Sequence, residues 1–379
     1  MEWITEKDLE NISVGATLLG TGGGGDPFVG KLMAMQAIQK YGPVKVLQLD
    51  ELDEEELVMP VGSIGAPSVS NEKIASEEEI YAPAEALKDF FPERTQAIMP
   101  IEIGGGNSLL PIACAAKMGL PIVDADAMGR AFPESQMVTF FLKGYQPEIV
   151  SMADSQGNRI IYYPKDGAWS EKIARAVTDV MGGSANMADN IFPGKIVKEC
   201  GIGGTLSLAK KIGEELSSLN EIDAPVKRLL SLLNGFSLFE GKIDHIERNV
   251  EGGFTKGKAT LAGIGCNKGE KLELLFQNEL LLASKNGKVL ASTPDLICAL
   301  DYETGKPITT ETLRYGSRVH VIALACDPKW RTEKGIEVAG PKYFGYEIEY
   351  TPVEELMGEE SICIDEALML AGPIQIVRF

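Results

Sequence analysis

The sequence predicts an α/β N-terminal domain built on a mixed or parallel sheet, a helical segment, and a β-rich C-terminal domain, α+β overall. Three observations predict this. Apolar strand-like runs alternate with helical spacings from residue 1 to about 165, amphipathic helical faces fill 170 to 235, and short alternating runs punctuated by turn residues dominate beyond 236. The boundaries that follow are an α/β domain over 1–168 and a helical connector with a β-rich domain over 169–379.

In the first domain the strand candidates are Val44 to Leu49, Leu57 to Ile64, Ala97 to Ile103, Pro121 to Asp124, Met137 to Leu142, Ile149 to Ala153 and Arg159 to Tyr163. The Glu77-Glu78-Glu79 run is expected on a solvated helix start or face. In the connector, Ile173, Ala176, Val177, Val180 and Met181 form one amphipathic face, and Leu206 to Leu216 and Val226 to Leu233 form others. In the second domain, strands are expected at Lys242 to Arg248, Lys258 to Gly263, Lys271 to Asn278, Glu279 to Ser284, Lys288 to Pro294, Ile297 to Asp301 and Arg318 to Cys326. Asn286-Gly287 and Glu303-Thr304-Gly305 supply hairpin turns.

With 379 residues, 44% hydrophobic and 24% charged, the chain suits a globular protein with more than one core. Its formal charge of -19 argues against nucleic acid or an anionic membrane surface as partner, since both are held by Lys and Arg. No apolar run reaches a membrane span and the N-terminus lacks a signal-peptide pattern, so a cytoplasmic enzyme is expected. Six cysteines lie at 114, 200, 266, 298, 326 and 363 with no C-x-x-C pair, and they read as reduced, mostly buried thiols. His245 and His320 are the only histidines, each in a strand-like run that would turn it to solvent. The chemistry therefore leans on carboxylates, amides, Arg or a thiol.

Function is signalled first by glycine. Gly20-Thr21-Gly22-Gly23-Gly24-Gly25-Asp26-Pro27 follows the apolar Val14 to Leu19 and precedes Phe28, Leu32, Met35 and Ile38 at helical spacing, so it reads as strand, glycine loop, helix. Ala97 to Ile103, Gly104-Gly105-Gly106-Asn107 and the Leu109, Ile112, Ala113, Ala116 face repeat the design. Two such turns would present backbone N–H groups on one sheet edge, the place where α/β proteins bind ligands. Gly22, Gly23, Gly24, Gly25, Gly105, Gly106 and Asn107 are the expected binding residues, and valine at Gly24 is expected to damage ligand binding more than stability. The helix after the first turn lacks the Lys-Ser/Thr of a P-loop, which disfavours a nucleotide.

A third segment, Asp124-Ala125-Asp126-Ala127-Met128-Gly129-Arg130-Ala131-Phe132-Pro133-Glu134, delivers acids and a guanidinium to the same edge. Paired acids can split their pKa values into an acid and a base, or hold Mg²⁺ or Mn²⁺, although no metal is assigned. Asp124 is expected to bind substrate. Gln277-Asn278-Glu279 and Asp295 are polar interruptions expected to face an interdomain cleft, with Asn278 and Glu279 binding substrate.

Together with Gly252-Gly253-Phe254-Thr255-Lys256-Gly257, Thr293-Pro294-Asp295-Leu296-Ile297 and Gly340-Pro341-Lys342-Tyr343-Phe344-Gly345-Tyr346, these strings resemble the DUF917 family, whose members include S-methyl thiohydantoin desulfurases. The resemblance runs in order over nearly the whole chain, with Ala127 standing in a glycine position and Lys342-Tyr343 replacing an Arg-Ala pair. It implies hydrolysis of an S-methyl thiohydantoin to a hydantoin and methanethiol without a cofactor, on a small-molecule substrate and in association with a hydantoinase or a second copy of the chain. The alternatives are a non-catalytic ligand-binding partner of a hydantoinase and a divalent-metal-dependent cyclic amide hydrolase. For the hydrolysis, Asp26 or Asp126 is a candidate base, Glu134 or Asp295 a candidate acid, and Arg130 with the glycine amides would hold a developing oxyanion. A thiolate is the other route, because Cys200 stands ahead of Gly201-Ile202-Gly203-Gly204-Thr205 and a helix whose dipole would lower its pKa.

Overall fold

A computed structural model of the chain describes residues 1–358 apart from 71, 75, 89, 92, 93 and 218–224. Cys363 therefore lies outside the described residues.

The first sheet is mixed. Its strands run in the order Trp3–Ile4, Val44–Leu47, Ile122–Val123, Thr95–Pro100, Leu57–Gly65, Ser184–Ala188, Val150–Ala153 and Arg159–Tyr162, with Phe192–Pro193 also paired to Leu57–Gly65. Val44–Leu47, Ile122–Val123, Thr95–Pro100 and Leu57–Gly65 pair in parallel, and the remaining pairings are antiparallel. Strand Leu57–Gly65 sits centrally, which accounts for its near-continuous apolar burial.

Within the first 165 residues, two elements differ in type from the sequence expectation. The residues before the first glycine turn are the end of an α-helix, Glu6–Leu19, not a strand. Its apolar stripe begins upstream of Val14, with Leu9, Ile12, Ala16 and Leu19 buried at helical spacing, and Asp8 accepts the Thr5 N–H at 2.8 Å to close its N-terminus. The Met137-to-Leu142 run is a single helical turn, Thr139–Leu142, because an apolar run this short carries no decisive period. Phe140 packs there against Phe192, with ring centroids 4.9 Å apart. Glu79 also departs from the solvated face: it is buried in helix Glu77–Lys88, where it accepts the Ser76 N–H at 3.0 Å.

The connector residues fold onto this first sheet. They form helices Gly167–Val180, Gly194–Cys200, Thr205–Ser217 and Pro225–Leu233, yet Ser184–Ala188 among them is a strand lying between Leu57–Gly65 and Val150–Ala153. Beyond them, eight antiparallel strands follow the order Lys288–Ser292, Glu279–Lys285, Lys271–Gln277, Phe254–Gly263, Phe236–Glu251, Arg318–Leu324, Leu296–Asp301 and Pro307–Ile308. Leu261, Leu274, Leu280, Val319 and Val321 are among the buried side chains of this second core. Asn286 and Gly287 take positive φ of 50° and 87° at the tip of a two-residue hairpin, as their residue types require. Among the described residues no helix is long and apolar enough to cross a membrane.

Candidate functional site

The two glycine turns meet, backbone on backbone. The Gly106 N–H donates to Gly25 O at 3.2 Å, and a Cβ on Gly24 would lie 2.5 Å from Gly104 O. Only the second turn leaves a strand, since the first connects two helices. The second domain closes over both. Leu280 N–H donates to Thr21 O and Thr310 N–H to Gly22 O, each at 2.8 Å, and a Cβ on Gly23 would overlap Glu279 Oε1 at 1.9 Å. Gly22, Gly23 and Gly24 are thus required by close packing of three segments, which corrects the expectation that valine at Gly24 mainly harms binding. Gly25 has a φ of 80° and meets nothing within 4 Å of a built Cβ, so it opens onto a cavity.

That cavity holds about 690 Å³, counting its mouth, and lies between the joined turns, strand Leu57–Gly65 and the Asn278-Glu279 hairpin corner. Met128, Phe132, Pro133 and Glu134 close another side. Three of its acids are almost wholly removed from solvent: Glu102, Asp189 and Glu279. Burial lifts Glu279 to about 8, against the lowering influence of the Arg130 guanidinium, and lifts Asp189 to about 7. Glu102 is raised well above the ordinary carboxylate range by burial, and the neighbouring Glu279 charge adds to it. Oε2 of Glu102 and of Glu279 have no hydrogen-bond partner among the described residues. Asn107 fixes the other Glu102 oxygen with an Nδ2 bond of 2.5 Å, while its own Oδ1 accepts the Ser63 amide and hydroxyl at 2.7 Å.

The rest of the rim is braced. Glu134 accepts the Tyr343 hydroxyl at 2.6 Å and Gln136 Nε2 at 2.5 Å. Arg175 pairs with Glu171 at 2.5 Å, donates to Pro133 O and Gly253 O, and lies 4.2 Å over the Phe254 ring. Asn278 adopts a φ of 58° and accepts the Thr255 N–H at 2.8 Å, which turns the chain so that Glu279 faces inward.

Of the residues singled out from sequence, Gly24, Gly25, Asn107, Glu134, Asn278 and Glu279 line this cavity. Gly106 and Asp26 line an adjoining cleft, where Asp26 also caps helix Pro27–Tyr41 by accepting the Phe28 N–H at 2.8 Å. Gly105 takes a φ of 54° against Gly24 and Gly25. The structure does not bring Asp124, Asp126, Arg130 or Asp295 to the cavity wall. Asp124 accepts the Ser207 amide at 3.0 Å near the start of helix Thr205–Ser217. Asp126 Oδ2 accepts the amides of Ile103, Met128 and Gly129 at 2.9, 3.2 and 2.7 Å. Arg130, fully buried, donates to Pro294 O, Asp295 O, Ala131 O and Thr21 Oγ1, so it ties the first domain to the second and sets the field around Glu279. Asp295 is enclosed by Cys326 N, Arg331, Tyr350 and Val353 N.

Cys200 is corrected as well. It ends helix Gly194–Cys200 instead of heading one, it is buried, and burial pushes its thiol up to about 11. Maleimide at pH 7.5 is expected to mark Cys266, the exposed cysteine among those described, and to leave Cys200 unmodified on mass-spectrometric mapping. Substrate-protected labelling of Cys200 would restore the covalent route. His320 is mostly buried beside Ser237 and held down to about 4, whereas His245 is exposed beside Glu247. Among the described residues no group of three or more His, Cys, Asp or Glu is arranged to hold a metal ion.

Sequence reasoning missed Glu102, Asp189, Ser63 and Arg175. Glu102 left a signal, an acid interrupting the apolar Ile98 to Ile103 run directly before the glycine turn, and Asp189 another, an acid closing the Ala185 to Ala188 stretch. Ser63 and Arg175 carry none, since their place depends on pairing between distant segments.

Two family models match the chain in succession: S-Me-THD-like, N-terminal domain, over residues 7–163, and S-Me-THD-like, C-terminal domain, over residues 165–353. No curated protein matches it. A crystal structure of a protein from Chromobacterium violaceum superposes with a TM-score of 0.78 at 23% identity, covering 93% of this chain and 100% of that one, which shows a shared fold. With both domain models matched in order across the described two-domain architecture, the chain belongs to the S-Me-THD-like family, that of the S-methyl thiohydantoin desulfurases.

Proposed function

We propose that the cavity hydrolyses an S-methyl thiohydantoin to the hydantoin and methanethiol. The observation that carries this reading is the enclosure of three carboxyls, two of them raised to about 7 and about 8, around a space open to a small ring. Groups placed near the working pH in this way suit proton transfer in both directions.

The roles follow from which acid keeps its proton. At neutral pH Asp189 is substantially ionised and serves as base, Glu279 is mostly protonated and serves as acid, and Glu102 holds its proton as a donor to a ring carbonyl. Water adds its oxygen to the C=N carbon that bears sulfur and gives one proton to Asp189, while Glu279 protonates the ring nitrogen. The carbon–sulfur bond then breaks as the new C=O forms. Methanethiolate takes the proton from Asp189, and the hydroxyl proton returns to Glu279. Both acids end as they began, with water consumed. Glu279 and Asp189 thereby take the roles expected of Asp26 or Asp126 and of Glu134 or Asp295: Asp26 caps a helix, Asp126 Oδ2 holds three backbone amides away from the cavity wall, Glu134 is bonded to Tyr343 and Gln136, and Asp295 holds amides and Arg331.

Thiol release from an S-methyl thiohydantoin tests the reading. kcat/KM is expected to rise as Asp189 ionises through about 7 and to fall as Glu279 loses its proton through about 8, a narrow bell near pH 7.5. Binding of the ring with no thiol released at any pH would assign the chain to the non-catalytic, ligand-binding class.

A further inference from the structure

A second cleft of about 700 Å³, counting its open mouth, adjoins the carboxyl-lined cavity, and the two share Gly24, Gly25, Ser63 and Ser70. Its character differs. Val29 and Met33 from helix Pro27–Tyr41, Ile80 from helix Glu77–Lys88, Leu110 from helix Leu110–Met118 and Ala185 from strand Ser184–Ala188 give it an apolar wall. Gly25 lines both spaces, and a built Cβ on it would meet nothing within 4 Å, so no side chain stands between them at that point. The ionisable groups are biased. Lys73 reaches this cleft with its ammonium bonded to Met181 O and Ser184 O, and Arg175 at the first cavity is paired with Glu171, while Glu79, Asp26, Glu102, Glu134, Asp189 and Glu279 surround the combined space.

We propose that this cleft is the subsite for the ring substituent, and that the substrate class is a hydantoin-type ring carrying a bulky apolar group at the carbon remote from sulfur. The inference rests on the hydrolase reading for the placement of the ring. A ring held at Glu279 and Asp189 fills only the first space, and its substituent passes Gly25 to meet Val29, Met33 and Ile80. The apolar wall gains contact with a branched alkyl or aromatic group. A carboxylate there would lose its hydration against that apolar wall with Asp26 and Glu134 near, and Lys73 is already bonded to two carbonyls.

Calorimetry with the full chain and a series of 5-substituted hydantoins tests this without turnover. Affinity is expected to tighten roughly fourfold for each methylene buried, so 5-isobutylhydantoin should bind at least about tenfold tighter than 5-methylhydantoin. The isosteric 5-(carboxymethyl)hydantoin should bind more weakly than the isobutyl compound. Val29→Asp, at a half-exposed position, should narrow the isobutyl-to-methyl ratio with the thermal midpoint retained. A flat series, a series with no binding, or preference for the carboxymethyl compound overturns the inference. Methanethiol release from the matching S-methyl thiohydantoins reads the hydrolase proposal separately, so loss of turnover with the size preference intact sinks that reading alone.

Discussion

Replacing Glu279 with Gln is expected to lower kcat/KM by about 10²–10⁴-fold and to erase the alkaline limb of its pH profile, since the amide keeps the shape of the side chain but has no acidic proton to give. Stability should move the other way. The folded-state pKa of Glu279 lies above its ordinary 4.5, at about 8, so folding favours the protonated acid. Its contribution is complete below about 4.5 and is lost as the pH climbs through about 8. The separation corresponds to something on the order of 5 kcal/mol in favour of the protonated form. Thermal melts should therefore show Glu279→Gln gaining on the parent from pH 5 to pH 9. An equal difference at both pH values, with the alkaline limb intact, would remove Glu279 from the acid's role.

Gly24→Val is expected to abolish cooperative folding or to cost more than about 4 kcal/mol in urea titration. Its Cβ would stand 2.5 Å from Gly104 O and 2.6 Å from Gly104 C, backbone atoms that cannot step aside, at a φ of 75° that a β-branched residue avoids. Gly25→Ala provides the contrast. Nothing lies within 4 Å of its Cβ, so only the positive φ is penalised, at about 1–2 kcal/mol. That variant should fold and lose ligand affinity, because the methyl enters the passage between the two clefts. A wild-type urea midpoint for Gly24→Val would mean the turns do not need their contact.

Much of the fold was legible because its signals are local. Asn286-Gly287 marks a two-residue hairpin through its dihedral preference, and Lys271 to Gln277 alternates every second residue, so the strands of the second sheet were legible apart from the two-residue edge strand Pro307–Ile308. The first helix shows how the same reading fails. Val14 to Leu19 is a short apolar run, and only Leu9 and Ile12 upstream reveal its 3.6-residue period. Ser184–Ala188 fails for another reason: a five-residue strand among helices has its identity set by the strands on either side, Leu57–Gly65 and Val150–Ala153.

The site divides along the same line. Sequence alone determined the two glycine turns, the acid-rich Asp124-to-Glu134 segment and the polar Asn278-Glu279 corner, because glycine runs and acids among apolar residues are chemical facts of composition. Tertiary structure decided which acids work. Asp126 lies off the cavity wall with its Oδ2 on three backbone amides, Asp295 is bound to amides and Arg331, and Arg130 binds carbonyls 164 and 165 residues away, while Glu102, Asp189 and Glu279 are left around open space. A carboxyl's pKa is set by what is withdrawn from water around it and by which charges come near, and both are products of contacts between segments far apart in the chain. No spacing along the sequence encodes them.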